Sequence, residues 1–420
     1  MKILWVTNFL LPDISEKMGL PKNIGGGWLF DLSHQVAQTD GITLGVACMY
    51  GGLTLVDTEV KGIRYFLIPG GGRHAYIYSK SLIKYWEKID SAFEPDLVHL
   101  FGTEFTHGEV YLDNFKNRKF MVTVQGMLGP ISREATAYIP LRTRLFSHTF
   151  RELYKFNGMQ EVKLLFRKNS KHEERIISNV DYVTGRTFWD EQLVRRMNPN
   201  AKYFRCFHNL REEFYSADKW DIKKVKRHTI YAGTAAQLSY KGGHMVIRAF
   251  REVLKQFPDA RLTLILWLDG QGQPVPRNGY QKHILKLIDK LGIRDSIDFV
   301  PPQTAQEMIK MMQASNCMVV GSSIENDSTI LLEGMHIGVP CMASYRGGMT
   351  YLIKDGEDGF FHDFPEYEYL AGRICMIFSD DELATKLSQN SIKKVEKWHD
   401  REKNTDAFIN IYRAICNKDG

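Results

Sequence analysis

Cysteine is sparse and scattered. The six, Cys48, Cys206, Cys317, Cys341, Cys375 and Cys416, contain no C-x-x-C spacing, so neither a zinc site nor a disulfide framework is suggested. No run of about 18 apolar residues occurs, which leaves no candidate for a membrane-spanning helix. The opening Met1-Lys2-Ile3-Leu4-Trp5-Val6-Thr7 is too short and too quickly polar for a signal peptide and is expected to be a first strand. No strand-like run is followed by G-x-G-x-x-G and then an acid about 20 residues on, which disfavours a dehydrogenase. RRM, KH and helix-turn-helix patterns are absent, so no nucleic-acid partner is expected. There is no tandem repeat or low-complexity tract, and the expected location is a reducing cytoplasm.

What is present is a globular composition, 44% hydrophobic and 25% charged, over 420 residues. That length suits two domains of about 200 residues each. The net charge of +6 is modest, but 142–175 holds nine Lys/Arg against four Asp/Glu, so +5 of it lies in one stretch. Such an excess suits anionic lipid headgroups on the inner face of a membrane or an anionic acceptor, and equally a solvated helical pair.

Short apolar runs at 3–7, 42–47, 63–68, 96–100 and 120–124 alternate with helix-like segments such as 82–93. The pattern repeats at 229–233, 262–268, 297–300, 317–320 and 340–343, with amphipathic stretches at 246–254 and 283–291. Thr304-Ala305-Gln306-Glu307 reads as a capping box opening a helix. Strand and helix in alternation predict an α/β protein of two doubly wound, Rossmann-like domains. Ligand sites in such sheets lie at the carboxyl ends of the strands, which would make both open on a central cleft. The charged, aromatic stretch 218–227 reads as the hinge, and 405–415 as a helix added after the second sheet.

Glu325 and Glu333 stand eight residues apart between the apolar run 317–320 and Gly338-Val339-Pro340. In one continuous helix they would be separated by about 12 Å. If the helix starts near Ser328, only Glu333 lies inside it and both carboxylates can face one site. A helix beginning there offers free backbone N–H groups and a positive dipole end, which suit a phosphate. Two acids on a solvated helix are the plain alternative.

In order and spacing, nearly the whole chain resembles the GT-B fold, and specifically the large retaining family 4 of nucleotide-sugar glycosyltransferases. The resemblance is carried by Tyr231-Ala232-Gly233-Thr234, by Lys241-Gly242-Gly243, by Glu325 and Glu333 with Gly338-Val339-Pro340 and Gly347-Gly348, and by Asp355-Gly356-Glu357-Asp358-Gly359-Phe360. Gly25-Gly26-Gly27 stands where the family has its glycine-rich acceptor-side loop. Segments 96–104, 185–190 and 209–215 resemble a bacterial subset that builds surface polysaccharides. The resemblance implies an N-terminal acceptor-binding domain at 1–215, a hinge at 216–228, a donor-binding domain at 229–397, and a terminal helix at 398–420 packing back on the first domain.

It also implies roles. Lys241 would sit on the donor diphosphate, Glu333 on the ribose hydroxyls and Glu325 on the donor-sugar hydroxyls. The backbone at Ser328 and Thr329 would cap the phosphates, and the loop containing Pro302 would pack on the nucleobase. Acceptor-side residues would be Gly25, Gly26, Gly27, His99, Glu104 and Arg186. The donor would be a UDP- or GDP-sugar and the acceptor a saccharide or a lipid-linked saccharide. In the family the leaving phosphate takes the acceptor proton, so no metal and no other cofactor is expected, in line with the absence of Asp-x-Asp. Three positions depart from the pattern. The family's Arg is Thr234, with Arg346 or Arg186 as substitutes; its Gly-Phe-Gly is Asn326-Asp327-Ser328; and its His near the reacting sugar is Gln125, with His99 and His107 as nearby imidazoles. A nucleotide-sugar epimerase of similar fold and a non-catalytic glycosyltransferase-like binding subunit stay open as alternatives.

Overall fold

The computed structural model of the protein describes residues 1–20, 27–71 and 75–417. The chain divides into two units: Met1–Leu128 with Lys168–Glu212 and His399–Gly420, and Gly129–Arg167 with Glu213–Trp398.

In the first unit eight strands form one sheet: β1 (Lys2–Thr7), β2 (Thr43–Tyr50), β3 (Val56–Val60), β4 (Ile63–Pro69), β5 (Leu97–Phe101), β6 (Phe120–Thr123), β7 (Tyr182–Gly185) and β8 (Lys202–Arg205). Their order is β3-β4-β2-β1-β5-β6-β7-β8, parallel throughout except for β3, which pairs antiparallel with β4 at the edge. The two-residue period of a strand sends Ile3 and Trp5 into one core and Leu4 and Val6 into another, so both faces are covered. Helix Arg401–Cys416 completes the first of these cores with Phe408, Tyr412 and Ile415. Trp5 Nε1 donates to the Tyr412 hydroxyl at 3.0 Å.

The second unit has β9 (Thr229–Tyr231), β10 (Arg261–Ile265), a small antiparallel pair β11 (Trp267–Leu268) and β12 (Pro274–Val275), then β13 (Ile297–Val300), β14 (Cys317–Val320), β15 (Cys341–Ser344) and β16 (Phe360–His362). Its main sheet runs β13-β10-β9-β14-β15-β16, all parallel. Among its parallel strands each sheet therefore has one place where the chain order reverses, between β1 and β5 and between β9 and β14. Crevices at such points are where open α/β sheets take ligands.

Two expectations about domain boundaries are corrected. Gly129–Arg167, expected in the first domain, lies in the second unit, because Ser147 Oγ bonds the Gly279 carbonyl at 2.8 Å and His244 Nε2 bonds the Ala137 carbonyl at 2.8 Å. The stretch 216–228, expected as a hinge, is fastened into that same unit. Trp220 is buried, its backbone N–H donates to Ile337 O at 2.8 Å and its indole N–H to Ser315 O at 2.8 Å. The six cysteines are free. Among the described residues no helix is long and apolar enough to cross a membrane.

Candidate active site

After β9 the chain makes two short 3₁₀ turns, Gly233–Ala236 and Ser239–Lys241, before helix Gly243–Gln256. Gly242 has φ +72°, and a Cβ on it would fall 1.7 Å from the Gly321 carbonyl oxygen; one on Gly243 would fall 2.5 Å from Ala235 O. Only glycine allows the turn to reach the end of β14 this closely. The two loops are then tied together, the Ser323 N–H donating to Tyr240 O at 2.7 Å.

That closure brings Lys241 onto Glu325, Nζ to Oε1 at 2.5 Å, with the side chains 20% and 15% exposed. Ser322 Oγ donates to the same Oε1 at 2.8 Å. Burial alone would lower the Lys241 pKa, but the charge of Glu325, with Tyr240 and the hydrogen bond to Glu325, raises it above its ordinary value. The ammonium is thus held charged at neutral pH. The backbone of Glu325 is gripped from the other side: the Gly348 N–H donates to Glu325 O at 2.9 Å, and Gly347, at φ +59°, passes so close that a Cβ would lie 2.3 Å from that oxygen. The Gly-Gly dipeptide read from the sequence is therefore a backbone clamp on Glu325.

Helix Thr329–Ile337 begins at Ser328, whose side chain makes no capping bond, and ends at Gly338 with φ +94°. Glu333 lies inside this helix, 1% exposed. The Asp-Gly-x-x-Gly turn is structural, with Lys354 N–H donating to Asp358 Oδ1 at 2.7 Å and Phe361 N–H to Asp355 Oδ1 at 2.7 Å. Thr234 sits half-buried in the first 3₁₀ turn. Pro302 is exposed after β13, and its neighbour Gln303 accepts the Tyr231 hydroxyl at 3.2 Å. Arg346 is already engaged, donating to Phe364 O at 2.5 Å and lying 3.4 Å from Asp363 Oδ1. Taking the place of the family's Arg would require it to leave those partners.

In the first unit Glu104, Gln125 and Arg186 follow β5, β6 and β7 at their carboxyl ends. Glu104 accepts the Asn8 amide at 2.9 Å. Its pKa is raised by burial, against the pull of the Asn8 amide and the backbone N–H groups of Glu104, Thr103 and Gly126. Arg186 lies over the Trp28 ring at 5.0 Å, at the head of helix Gly27–Ala37. Gly27 starts that helix; Gly25 and Gly26 lie outside the described residues.

His99 does not fit an acceptor-side role. It is fully buried within β5, its Nδ1 2.7 Å from the Tyr412 hydroxyl and its Nε2 2.6 Å from Thr123 Oγ1, and burial holds its pKa well below the usual value. Its neighbour His107 is buried too, 3.1 Å from Thr7 O, with its pKa lowered to about 4. Sequence reasoning missed Ser322, Tyr240 and Asn8. The signal for Ser322 and Asn8 was position, a polar residue within two places of a strand's carboxyl end beside a chain reversal; Tyr240 was signalled only by its place next to Lys241.

The architecture of both units is Rossmann-like, and the chain has the GT-B fold. The structure of sucrose-phosphate synthase from Thermosynechococcus elongatus superposes with a TM-score of 0.73 at 17% identity, covering 99% of each chain. Anabaena HepE in complex with UDP and glucose superposes at 0.65 with 14% identity, covering 99% of this chain and 100% of its own. Residues 216–394 match the family model described as glycosyl transferases group 1. Over 176 residues the chain is 27% identical to a D-inositol 3-phosphate glycosyltransferase of Acidothermus cellulolyticus, which is 41% of this chain and 38% of that protein. Over 142 residues it is 27% identical to the Corynebacterium diphtheriae protein of the same name, 34% of this chain and 32% of that one. The chain thus spans about two fifths or less of the curated relatives it matches.

Proposed function

We propose that the protein is a retaining, metal-independent glycosyltransferase that moves a sugar from a UDP- or GDP-sugar to a saccharide or lipid-linked acceptor in cell-surface polysaccharide synthesis. The observation that carries this is the Lys241–Glu325 pair at the reversal between β9 and β14, built by glycines that admit no side chain. A fixed ammonium there offsets the charge that grows on a departing diphosphate. Glu325, its backbone clamped, accepts from donor-sugar hydroxyls, and Glu333 from the ribose. The amides opening helix Thr329–Ile337 suit the phosphates. Glu104, Gln125 and Arg186 belong to the acceptor side in this reading.

The test is release of nucleotide from a panel of UDP-, GDP- and ADP-sugars, preceded by a thermal-shift screen, because a bound donor stabilises the folded state. Turnover that persists in EDTA is expected. Protein that never releases nucleotide from any donor, with or without saccharide acceptors, defeats the proposal; interconversion of the sugar with the nucleotide still attached indicates an epimerase instead.

The same reading includes peripheral contact with anionic lipid through 142–175. Nine of the eighteen exposed large hydrophobic residues among those described fall within 138–164, and Phe146, Phe150 and Phe156 are 79%, 89% and 78% exposed. Aromatic residues interspersed with the local excess of Lys and Arg suit an anionic membrane surface. Phe146→Ser with Phe150→Ser is expected to lower cosedimentation with phosphatidylglycerol vesicles at least several-fold. Unchanged binding would remove the membrane from the reading.

A further inference from the structure

Helices Gly243–Gln256 and Gly279–Leu291 of the second unit, with 138–143 and 365–367, line a groove of about 520 Å³. That is ample for a monosaccharide or a headgroup. Arg248 projects into it from the first helix, and Lys286 and Lys290 from the second, where their spacing of four places both on one face. Tyr138 and Tyr367 add aromatic surface, and no Asp or Glu lines the groove.

The neighbouring carboxylates on these two helices form their ion pairs elsewhere. Glu252 pairs with Lys255, and Asp289 pairs with Arg294 at 2.9 Å. Among the described residues no ion pair reaches Arg248, Lys286 or Lys290. The positive field registers on His283, also in the lining, whose pKa is lowered by burial and by the charges of Arg248 and Lys286. His244, the other imidazole, is spent on Ala137 O and the Tyr280 hydroxyl. Three cations without an ion-pair partner converging on a cavity, with aromatic walls and an imidazole able to donate or accept, suit a multiply charged oxyanion attached to a sugar or glycerol body.

We propose that this groove binds a phosphate-bearing ligand, either a phosphorylated saccharide or a phospholipid headgroup, at a site distinct from the Lys241–Glu325 pair. The groove's own residues carry it; only the Lys241 class of pyrophosphate site and the nucleotide-release control rest on the glycosyl-transfer reading.

Pyrophosphate titrated into the full-length protein by calorimetry should reveal two classes of site. Lys241→Ala should remove one. Lys286→Glu with Lys290→Glu, both exposed, should weaken the other by about tenfold or more while leaving nucleotide release from donor sugars unchanged. The His283 imidazole, followed by NMR, should titrate at higher pH when pyrophosphate is bound, and this rise should vanish in the double variant. Arg248→Ser supplies an independent variant should the double charge reversal fail to fold. Wild-type pyrophosphate affinity and stoichiometry in the folded variants, or a His283 titration indifferent to pyrophosphate, would overturn the proposal. With the site established, glucose 1-phosphate and phosphatidylglycerol vesicles separate the sources: whichever competes with pyrophosphate in the wild-type protein and not in the variant is the ligand chemistry the groove serves.

Discussion

Both sheets place a glutamate at the carboxyl ends of their strands, next to the point where chain order reverses, but the two acids are held differently. In the second unit Glu325 meets an ammonium at 2.5 Å and a serine hydroxyl at 2.8 Å. In the first, Glu104 meets the neutral Asn8 amide at 2.9 Å and nearby backbone N–H groups, and its pKa is raised. A carboxylate facing a fixed cation is ready to share that cation with a phosphate. One held by neutral donors at a raised pKa is poised instead to accept hydrogen bonds or exchange a proton. The same topological position thus provides an ion pair in one unit and a carboxyl held by neutral donors in the other, and on the proposed function it is the ion pair that would take the diphosphate.

The largest expected effect breaks the charged pair. Lys241→Ala should lower turnover by about 10²–10³-fold, as loss of one preorganised electrostatic partner commonly does, whereas Asn8→Ala in the first unit should cost less than about tenfold. Equal losses measured in a donor-release assay would erase the distinction. Because the Lys241 pKa is raised, the pair contributes stability that is fully present below about pH 10.5 and is lost only as pH rises through the folded value. Donor binding should accordingly show no lysine titration between pH 6 and 9.

Next in size, Gly242→Ala should destabilise the second unit by about 2 kcal/mol or more and lower turnover by about tenfold, since the residue has positive φ and its Cβ would overlap Gly321 O. Thermal melts and circular dichroism separate the two effects. Tyr412→Phe should cost about 1–2 kcal/mol by removing the hydroxyl that both Trp5 and His99 use, with kcat and KM little changed in the protein that remains folded. A His99 pKa held well below normal means that stability is present above about pH 6.5 and is lost as pH falls from there, because the buried imidazole must be charged; His99→Gln should flatten that acid limb. The smallest effect is Glu104→Gln. A raised carboxyl pKa favours folding below its ordinary value and that advantage is lost as pH rises, so the amide should raise Tm at pH 7 and leave it unchanged near pH 4.

Much of the second unit was legible because its signals are local. The runs at 297–300 and 317–320 coincide with β13 and β14, and the box Thr304 to Glu307 caps its helix with both reciprocal bonds present. Lys241, Gly242 and Glu325 were legible as a motif. The strands β7 and β8, four residues each in a charged and aromatic stretch, and the polar edge strand β3 carry too little periodicity to stand out. His99 misled for a similar reason. A histidine inside an apolar strand looks the same in sequence whether its ring meets substrate or, as here, a tyrosine 313 residues away.

By itself the sequence determined the alternation of strand and helix, the two-sheet plan and the glycine-bearing turns beside Lys241 and Glu325, because hydrophobic period and glycine requirements act over a few residues. Only the tertiary structure decided that Gly129–Arg167 packs with the second unit, that Arg346 is held by Phe364 and Asp363, and that Lys241 closes on Glu325 across 84 positions. Those outcomes depend on which distant surfaces bury each other and which charges then find no water. No local pattern encodes that.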